Sequence, residues 1–284
     1  MTRSVLYSTE NYRVTRHPVA ASAVTIVIFD FWTERPSLDD EPPGERFFVQ
    51  QGLNVIGVKT ARNDWYQGNE MAEVCACVVA ATPGQRRVGY GGSMGGYAAI
   101  NFAQDLDLHD VIAICPQFSI DRVKAPFERR WRAEAGEIDF KLDRMDRRRS
   151  DRPARGHLVF DPHTVDGLHA ERILAHHDLV PVRIRHGGHD QMLLLQQCDM
   201  LSGMLLDMVH GRFRAADCLA TLRQRRRGSA VFWLNLARTL ARHGRHDAAH
   251  RALREARACG GAPAFRWQFH AALTDCLLAP LHGR

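Results

Sequence analysis

The chain contains no apolar run long enough to cross a bilayer: its longest, Val19 to Phe29, is too short and stops at Asp30. The opening stretch "MTRSVLYSTENYRVTRHP" lacks the apolar core of a secretory leader. The seven cysteines are odd in number and include no C-x-x-C pair. Cys75 and Cys77 are one residue apart, a spacing that suits neither a zinc knuckle nor a disulfide framework. Their apolar neighbours mark most cysteines as small core residues, and a cytoplasmic, reducing location is expected. The fifteen histidines are scattered without ligand spacing. His169, His176 and His177 share one helix but have no Glu or Cys at ligand spacing, so neither a metal nor a cofactor is expected. The basic runs "RQRRRG" (223–228) and "DRRRSDRPARG" (146–156) lack interleaved aromatics, which argues for solvated faces rather than a nucleic-acid surface.

What is present is an ordinary globular composition, 45% hydrophobic and 25% charged, with a net charge of +6 over 284 residues. One stretch departs from the ordinary, "RRVGYGGSMGGYAAINFA" at 86–103. No Lys-Ser or Lys-Thr follows its last glycine, which excludes a P-loop. Counted from Gly89, a G-x-G-x-x-G pattern would end on Met94, which excludes a dinucleotide fingerprint. Gly91-Gly92-Ser93-Met94-Gly95 does fit G-x-S-x-G, flanked by a strand-like and a helix-like run. A strand that turns sharply into a helix exposes the middle side chain beside the positive helix end, and small neighbours let the chains pass.

The β-branched runs at 24–32, 53–59, 110–116, 157–161 and 180–186 predict strands, with the elbow strand among them. Helices are expected at 44–51, 69–82 and 166–177, and one over 191–211. This alternation predicts an α/β fold with a mostly parallel sheet covered by helices on both faces. In such sheets the chemistry gathers at the C-terminal strand ends, where Ser93, Asp161 and His189 fall. Residues 117–156 interrupt the pattern and read as a lid insertion. From Arg122 to Arg155 they hold twelve Lys or Arg against seven Asp or Glu, a bias that would favour an anionic substrate.

A serine needs a base, and "RIRHGGHDQM" offers His186 and His189; the paired glycines before His189 free it to swing toward the elbow. The imidazole needs a carboxylate. Asp161 directly ends "HLVF"; Asp166, five residues on, is the alternative, although a helix N-cap explains it equally well. The order Ser, Asp, His, each after a strand, resembles the α/β-hydrolase superfamily over about residues 20–210. The chain is especially similar to bacterial hydrolase-like proteins carrying "SMGGYAA" (93–99) followed by "PQFSI" (116–120). The resemblance implies Ser93 as nucleophile, Asp161 as orienting acid and His189 as base. It implies an oxyanion hole from the amides of Met94 and of Phe31 or Trp32, although no "HGGG" segment precedes the elbow. The expected activity is that of a serine esterase or acyl hydrolase, with thioester hydrolysis or acyl transfer open, on a small-molecule or glycan-linked acyl ester.

Beyond the 1–210 body, residues 211–284 change character. Trp233 and Trp267, Ala237 and Ala271, Ala215 and Ala249, and Leu219 and Leu253 each recur at a spacing of 34. The order Trp233, Leu236, Ala237, Leu240, Gly244, Ala249, Leu253, Ala256 resembles a tetratricopeptide (TPR) repeat. A second reading therefore makes the body a non-catalytic scaffold and the TPR-like tail a site for a protein partner.

Overall fold

The computed structural model describes residues 2–146 and 154–259. These form two compact units. The first runs to Val159 and adds Val165–Val182; the second holds Phe160–Thr164 and the chain from Arg183 onward.

The first unit is built on an eight-stranded sheet. In chain order its elements are β1 (Ser4–Ser8), β2 (Tyr12–His17), β3 (Val24–Phe29), α1 (Glu45–Gln50), β4 (Asn54–Thr60), α2 (Met71–Ala81), β5 (Arg86–Gly92), α3 (Met94–Asn101), β6 (Asp110–Ile114), α4 (Arg132–Glu137), β7 (Arg155–Phe160), α5 (Val165–His176) and β8 (Asp178–Arg183). The strand order is β1-β2-β4-β3-β5-β6-β7-β8. Strands β4, β3, β5, β6 and β7 pair in parallel, while β2 runs antiparallel to β1 and to β4. The sheet is thus mostly parallel, as the alternation of strands and helices implies.

The central strands are apolar because both their faces are covered. Ile26, Val27, Ile28 and Phe29 of β3 are fully buried, as are Val88 of β5 and Ala113 of β6. β1 and β2 are an addition that the hydrophobic pattern does not announce. Their sequences, SVLYS and YRVTRH, mix polar and apolar residues, and only the side of β2 carrying Tyr12 and Val14 is fully buried.

The described part of the insertion after β6 is tied down at several points. Asn101 of α3 donates to the Leu142 carbonyl and accepts from the Arg144 amide, and the Leu142 amide donates to Gln67 Oε1. Ser119 Oγ donates to Asp143 at 2.6 Å. Among its cations, Lys124 pairs with Asp143 and Asp146, Arg144 with Asp105, and Arg130 with Glu128 and Asp166. These pairs engage part of the expected basic charge; Arg147–Arg149 and Arg152 lie outside the described residues.

Arg130 belongs to a buried network. The Phe118 amide donates to His169 Nδ1 at 3.0 Å, so the ring proton sits on Nε2, which donates to Glu128 Oε2 at 2.8 Å. Arg130 grips the same carboxylate and reaches Asp166 at 2.8 Å. Burial alone would raise the Glu128 carboxyl, but bonds from His169 and Arg130 outweigh it and hold Glu128 well below the usual range. Burial pushes the His169 imidazole below its usual range, against the pull of Glu128. The folded state therefore keeps His169 neutral, whereas the unfolded chain takes up that proton near pH ~6.5. Stability from His169 is complete above that pH and is lost as pH falls below it. His157 and His186, also lowered by burial, add in the same direction. Thermal melts are expected to move down between pH 7.5 and 5. His169→Asn, which keeps an acceptor for the Phe118 amide, is expected to melt lower at pH 7.5 but to lose less over that range.

The second unit continues with α6 (Gln191–Gln197), α7 (Leu201–Val209), α8 (Ala215–Arg225), α9 (Ala230–Arg242) and α10 (His246–Ala258). The single helix expected over 191–211 is in fact two, bent by 111°. The break is at Asp199, which has φ 52°, and the Met200 amide closes it by donating to the Leu195 carbonyl at 2.8 Å. No single helix among the described residues is long and apolar enough to cross a membrane.

α9 and α10 form a helical hairpin. The Ser229 hydroxyl caps α9 by accepting from the Phe232 amide. Gly244, at φ 69°, ends α9 in a Schellman turn, with the Arg245 amide donating to Leu240 and the Gly244 amide to Ala241, both at 2.9 Å. Ala237, Ala241, Ala249, Ala252 and Ala256 let the helices approach closely, with Leu234 and Leu253 between them and Trp233, Leu236 and Leu240 packed alongside. The 34-residue recurrence at Trp267 and Ala271 falls outside the described residues.

Candidate active site

The elbow is built as its glycines require. Ser93 stands between β5 and α3 at φ 49°, ψ −118°, a positive-φ backbone outside the αL basin that residues with a side chain seldom adopt. Three contacts hold it there. The Ser93 amide donates to the Ile114 carbonyl at 2.9 Å, the Ser93 carbonyl accepts from the Tyr97 amide at 3.0 Å, and Gln117 Nε2 donates to Ser93 Oγ at 2.9 Å. A side chain at Gly91 would overlap the Gly95 carbonyl and come within 2.7 Å of the Gly96 nitrogen; one at Gly95 would come within 2.5 Å of the Phe29 carbonyl oxygen. The two glycines therefore set how closely α3 seats against β5 and the end of β3.

Met94 opens α3, so its amide is among those with no acceptor inside the helix. Phe31 and Trp32 follow β3. The amides flanking this pair are committed, Asp30 N–H to Tyr66 Oη at 2.7 Å and Thr33 N–H to Asn63 Oδ1 at 3.2 Å. Lys59 holds the Asp30 carboxylate at 2.8 Å. Burial pushes the Asp30 carboxyl up, against the lowering pull of Lys59. Phe31 and Met94 line one cavity of about 270 Å³, whose other walls include Asp30, Thr33, Lys59 and Asn63. Trp32 donates its indole N–H to Glu134 at 2.7 Å and packs against Trp131, which packs against Trp65.

Of the two candidate acids, Asp166 belongs to the first unit and Asp161 to the second. Asp166 lies inside the first turn of α5, not at its cap as its neighbours suggest; it is buried and ion-paired with Arg130. Asp161 is buried, and its two oxygens accept the amides of His163 and Gly188, each at 3.0 Å. Gly188 immediately precedes His189, so Asp161 anchors the loop that carries the candidate base. Gln191 closes the same loop, donating to the carbonyls of Ile184 and Gly188. His189 is half-buried. His186 lies in the loop beyond β8, at φ 64°, and packs on Phe232 and His163. Burial lowers its imidazole, against the raising pull of Asp161.

Sequence reasoning missed Gln117 and Trp65 as parts of the site. The "PQ" of "PQFSI" is visible as a motif, but only the fold brings it to Ser93, and Trp65 to it, across 52 residues of chain.

No protein-family model matches the sequence, and no curated protein matches it. Solved structures do. The chain is similar to the capsule O-acetyltransferase of Neisseria meningitidis serogroup A, at 12% identity over 72% of this chain and 93% of that one, with a TM-score of 0.50. Also similar are an esterase of Pyrococcus furiosus (12% identity, 74% and 90% covered, TM-score 0.48) and an α/β serine hydrolase without lid from Xanthomonas campestris (18%, 74% and 92%, TM-score 0.43). At these identities the likeness is one of fold. The eight-stranded, mostly parallel sheet with its strand–serine–helix elbow is an α/β-hydrolase-like architecture.

Proposed function

We propose that the protein is a serine-dependent acyl-ester enzyme with Ser93 as nucleophile, His189 as base and an aspartate as orienting acid. The observation that carries this reading is the positive-φ backbone of Ser93 between β5 and α3. That conformation costs energy, and it presents the hydroxyl beside the first amides of a helix. Ser93 Oγ bonds to the acyl carbon while its proton passes to His189. The carbonyl electron pair moves onto oxygen, where the Met94 amide and that of Phe31 or Trp32 receive it. The intermediate collapses, the ester C–O bond breaks, and the departing alcohol takes the proton from His189. Water, or a second alcohol, then repeats the sequence on the acyl-enzyme and frees Ser93.

The cavity between Phe31 and Met94 supports a particular kind of ester. At about 270 Å³ it falls just below the range of ~300–1,000 Å³ typical of drug-sized ligand sites, and it reaches Met94, the residue after Ser93, so we read it as room for a small ester. Walls of Asp30, Lys59, Thr33 and Asn63 offer hydrogen bonds to hydroxyls, which favours a hydroxyl-rich alcohol such as a sugar. The capsule O-acetyltransferase, whose name gives a short acyl group, agrees with the first part of this choice.

A fluorophosphonate probe followed by peptide mapping tests the reading. A single adduct on Ser93 is expected, absent in Ser93→Ala; folded wild type that takes up no probe would sink it. The same probe assigns the acid. Asp161 is the first candidate and Asp166 the alternative, and the carboxylate whose Asn variant slows labelling of Ser93 by about 10⁴-fold is the orienting one.

A further inference from the structure

We propose that Gln117 is a catalytic residue of the Ser93 centre: its side-chain amide holds Ser93 Oγ before acylation and turns to the incoming oxygen nucleophile afterwards. This rests on Ser93 being the nucleophile.

The argument begins with the amide's orientation. Gln117 is fully buried and has two side-chain partners, Trp65 Nε1 at 3.2 Å from Oε1 and Ser93 Oγ at 2.9 Å from Nε2. An indole N–H donates and never accepts. The amide atom facing Trp65 must therefore be the oxygen, which leaves the NH₂ facing Ser93. This fixes a choice that amide side chains otherwise leave open. Ser93 Oγ consequently accepts from Gln117, and the serine proton is directed away from it.

Trp65 is itself held at a cost that packing alone would not impose. Trp65 and Tyr66 are consecutive, fully buried and both left-handed, at φ 48° and 57°. Asp64 holds the turn by accepting from the Tyr66 amide and the Thr60 hydroxyl, both at 3.0 Å, and from the Tyr12 hydroxyl. Gln67 Nε2 donates to the Trp65 carbonyl at 3.2 Å and to Tyr97 Oη at 2.9 Å. The Trp131 ring covers the indole. Strain this well supported points to a function for the group it orients.

Chemistry then changes what Gln117 meets. Once Ser93 Oγ is an ester oxygen it is a poor acceptor, and a buried donor is left in need of one. The oxygen of the attacking water or alcohol is that acceptor. In this step the new oxygen–carbon bond forms and the Ser93 Oγ–carbon bond breaks. The attacker's proton passes to His189 and then to Ser93 Oγ. Gln117 transfers no proton; it orients the attacker and meets Ser93 Oγ again as it leaves.

Stopped-flow turnover of p-nitrophenyl acetate separates acylation from deacylation. Gln117→Met is expected to slow deacylation about 100-fold, in the range seen when one preorganised donor is lost, and acylation by less. Gln117→Glu, nearly the same shape, is expected to give no rescue because a carboxylate facing Oγ cannot donate. Trp65→Phe, which lets the amide flip, is expected to slow deacylation about tenfold, and the double variant Trp65→Phe/Gln117→Met to be no slower than Gln117→Met alone. Folding of each variant is followed by circular dichroism. A folded Gln117→Met or Gln117→Glu that deacylates at the wild-type rate overturns the inference, as do additive losses in the double variant. Wild type that forms no acetyl-enzyme on Ser93 overturns instead the reading of Ser93 on which it rests.

Discussion

His189→Ala is expected to lower kcat/KM by about 10⁶-fold, the scale on which members of a catalytic triad fail, while leaving the melting temperature close to that of wild type. The loop carrying His189 is held by groups other than the imidazole. Asp161 holds the Gly188 amide, Gln191 holds the carbonyls of Ile184 and Gly188, and Asn235 packs against Gly188 too closely to admit a side chain there. These holds remain when the ring is removed, so the loss is expected to fall on turnover more than on stability. His186→Ala is the control. That ring packs on Phe232 and His163, so its loss is expected to cost stability and to change turnover by less than about tenfold, in line with a packing role. If His186→Ala silences the protein and His189→Ala does not, the base has been misassigned.

Gly91→Ala is expected to destabilise the first unit by about 3 kcal/mol, the upper end of what overpacking costs. The added methyl meets backbone, the Gly95 carbonyl and the Gly96 nitrogen, and backbone cannot rotate out of the way as a side chain can. β5 and α3 would have to part, and Ser93 stands at their junction, so labelling of Ser93 should fall with stability. The same substitution at Gly203 has the opposite sign. Gly203 lies inside α7 with nothing within 4 Å of its would-be side chain. There the alanine gains roughly 0.5–1 kcal/mol of helix propensity. Urea unfolding of the two variants reads both signs, and a stable, fully reactive Gly91→Ala would refute the close seating described for the elbow.

The sequence makes the central architecture readable for a physical reason. Strands β3, β4 and β6 are buried on both faces, so their middles are apolar runs (Val24–Phe29, Val55–Val58 and Val111–Ile114), and such runs stand out from their surroundings. The elbow is equally legible, because a Gly-x-Ser-x-Gly junction has few other uses between a strand and a helix. Legibility ends where residues act through distant partners. The hairpin β1–β2 carries Arg and Thr at positions whose burial depends on pairing with β4. The turn at Asp199 breaks an apolar helix through one left-handed aspartate, which no periodicity reveals. Gln117 looks like any loop glutamine until Trp65 and Ser93 are brought to its two ends. Nor does the sequence show that Lys124, Arg130 and Arg144 of the insertion each meet a carboxylate.

The strand order also has a consequence for the nascent chain. β2 ends at His17, but β4, the strand it pairs with in the finished sheet, begins only at Asn54. At about 5–20 residues added per second, the hairpin waits roughly two to seven seconds for its neighbour to be synthesised. During that wait it has only its own ladder, which alone is marginal in water. The apolar surface of β2 at risk is then little more than Tyr12 and Val14, with Arg13, Thr15 and Arg16 between and beside them. The same polar residues that hide this hairpin from a hydrophobicity scan keep it soluble until the sheet arrives.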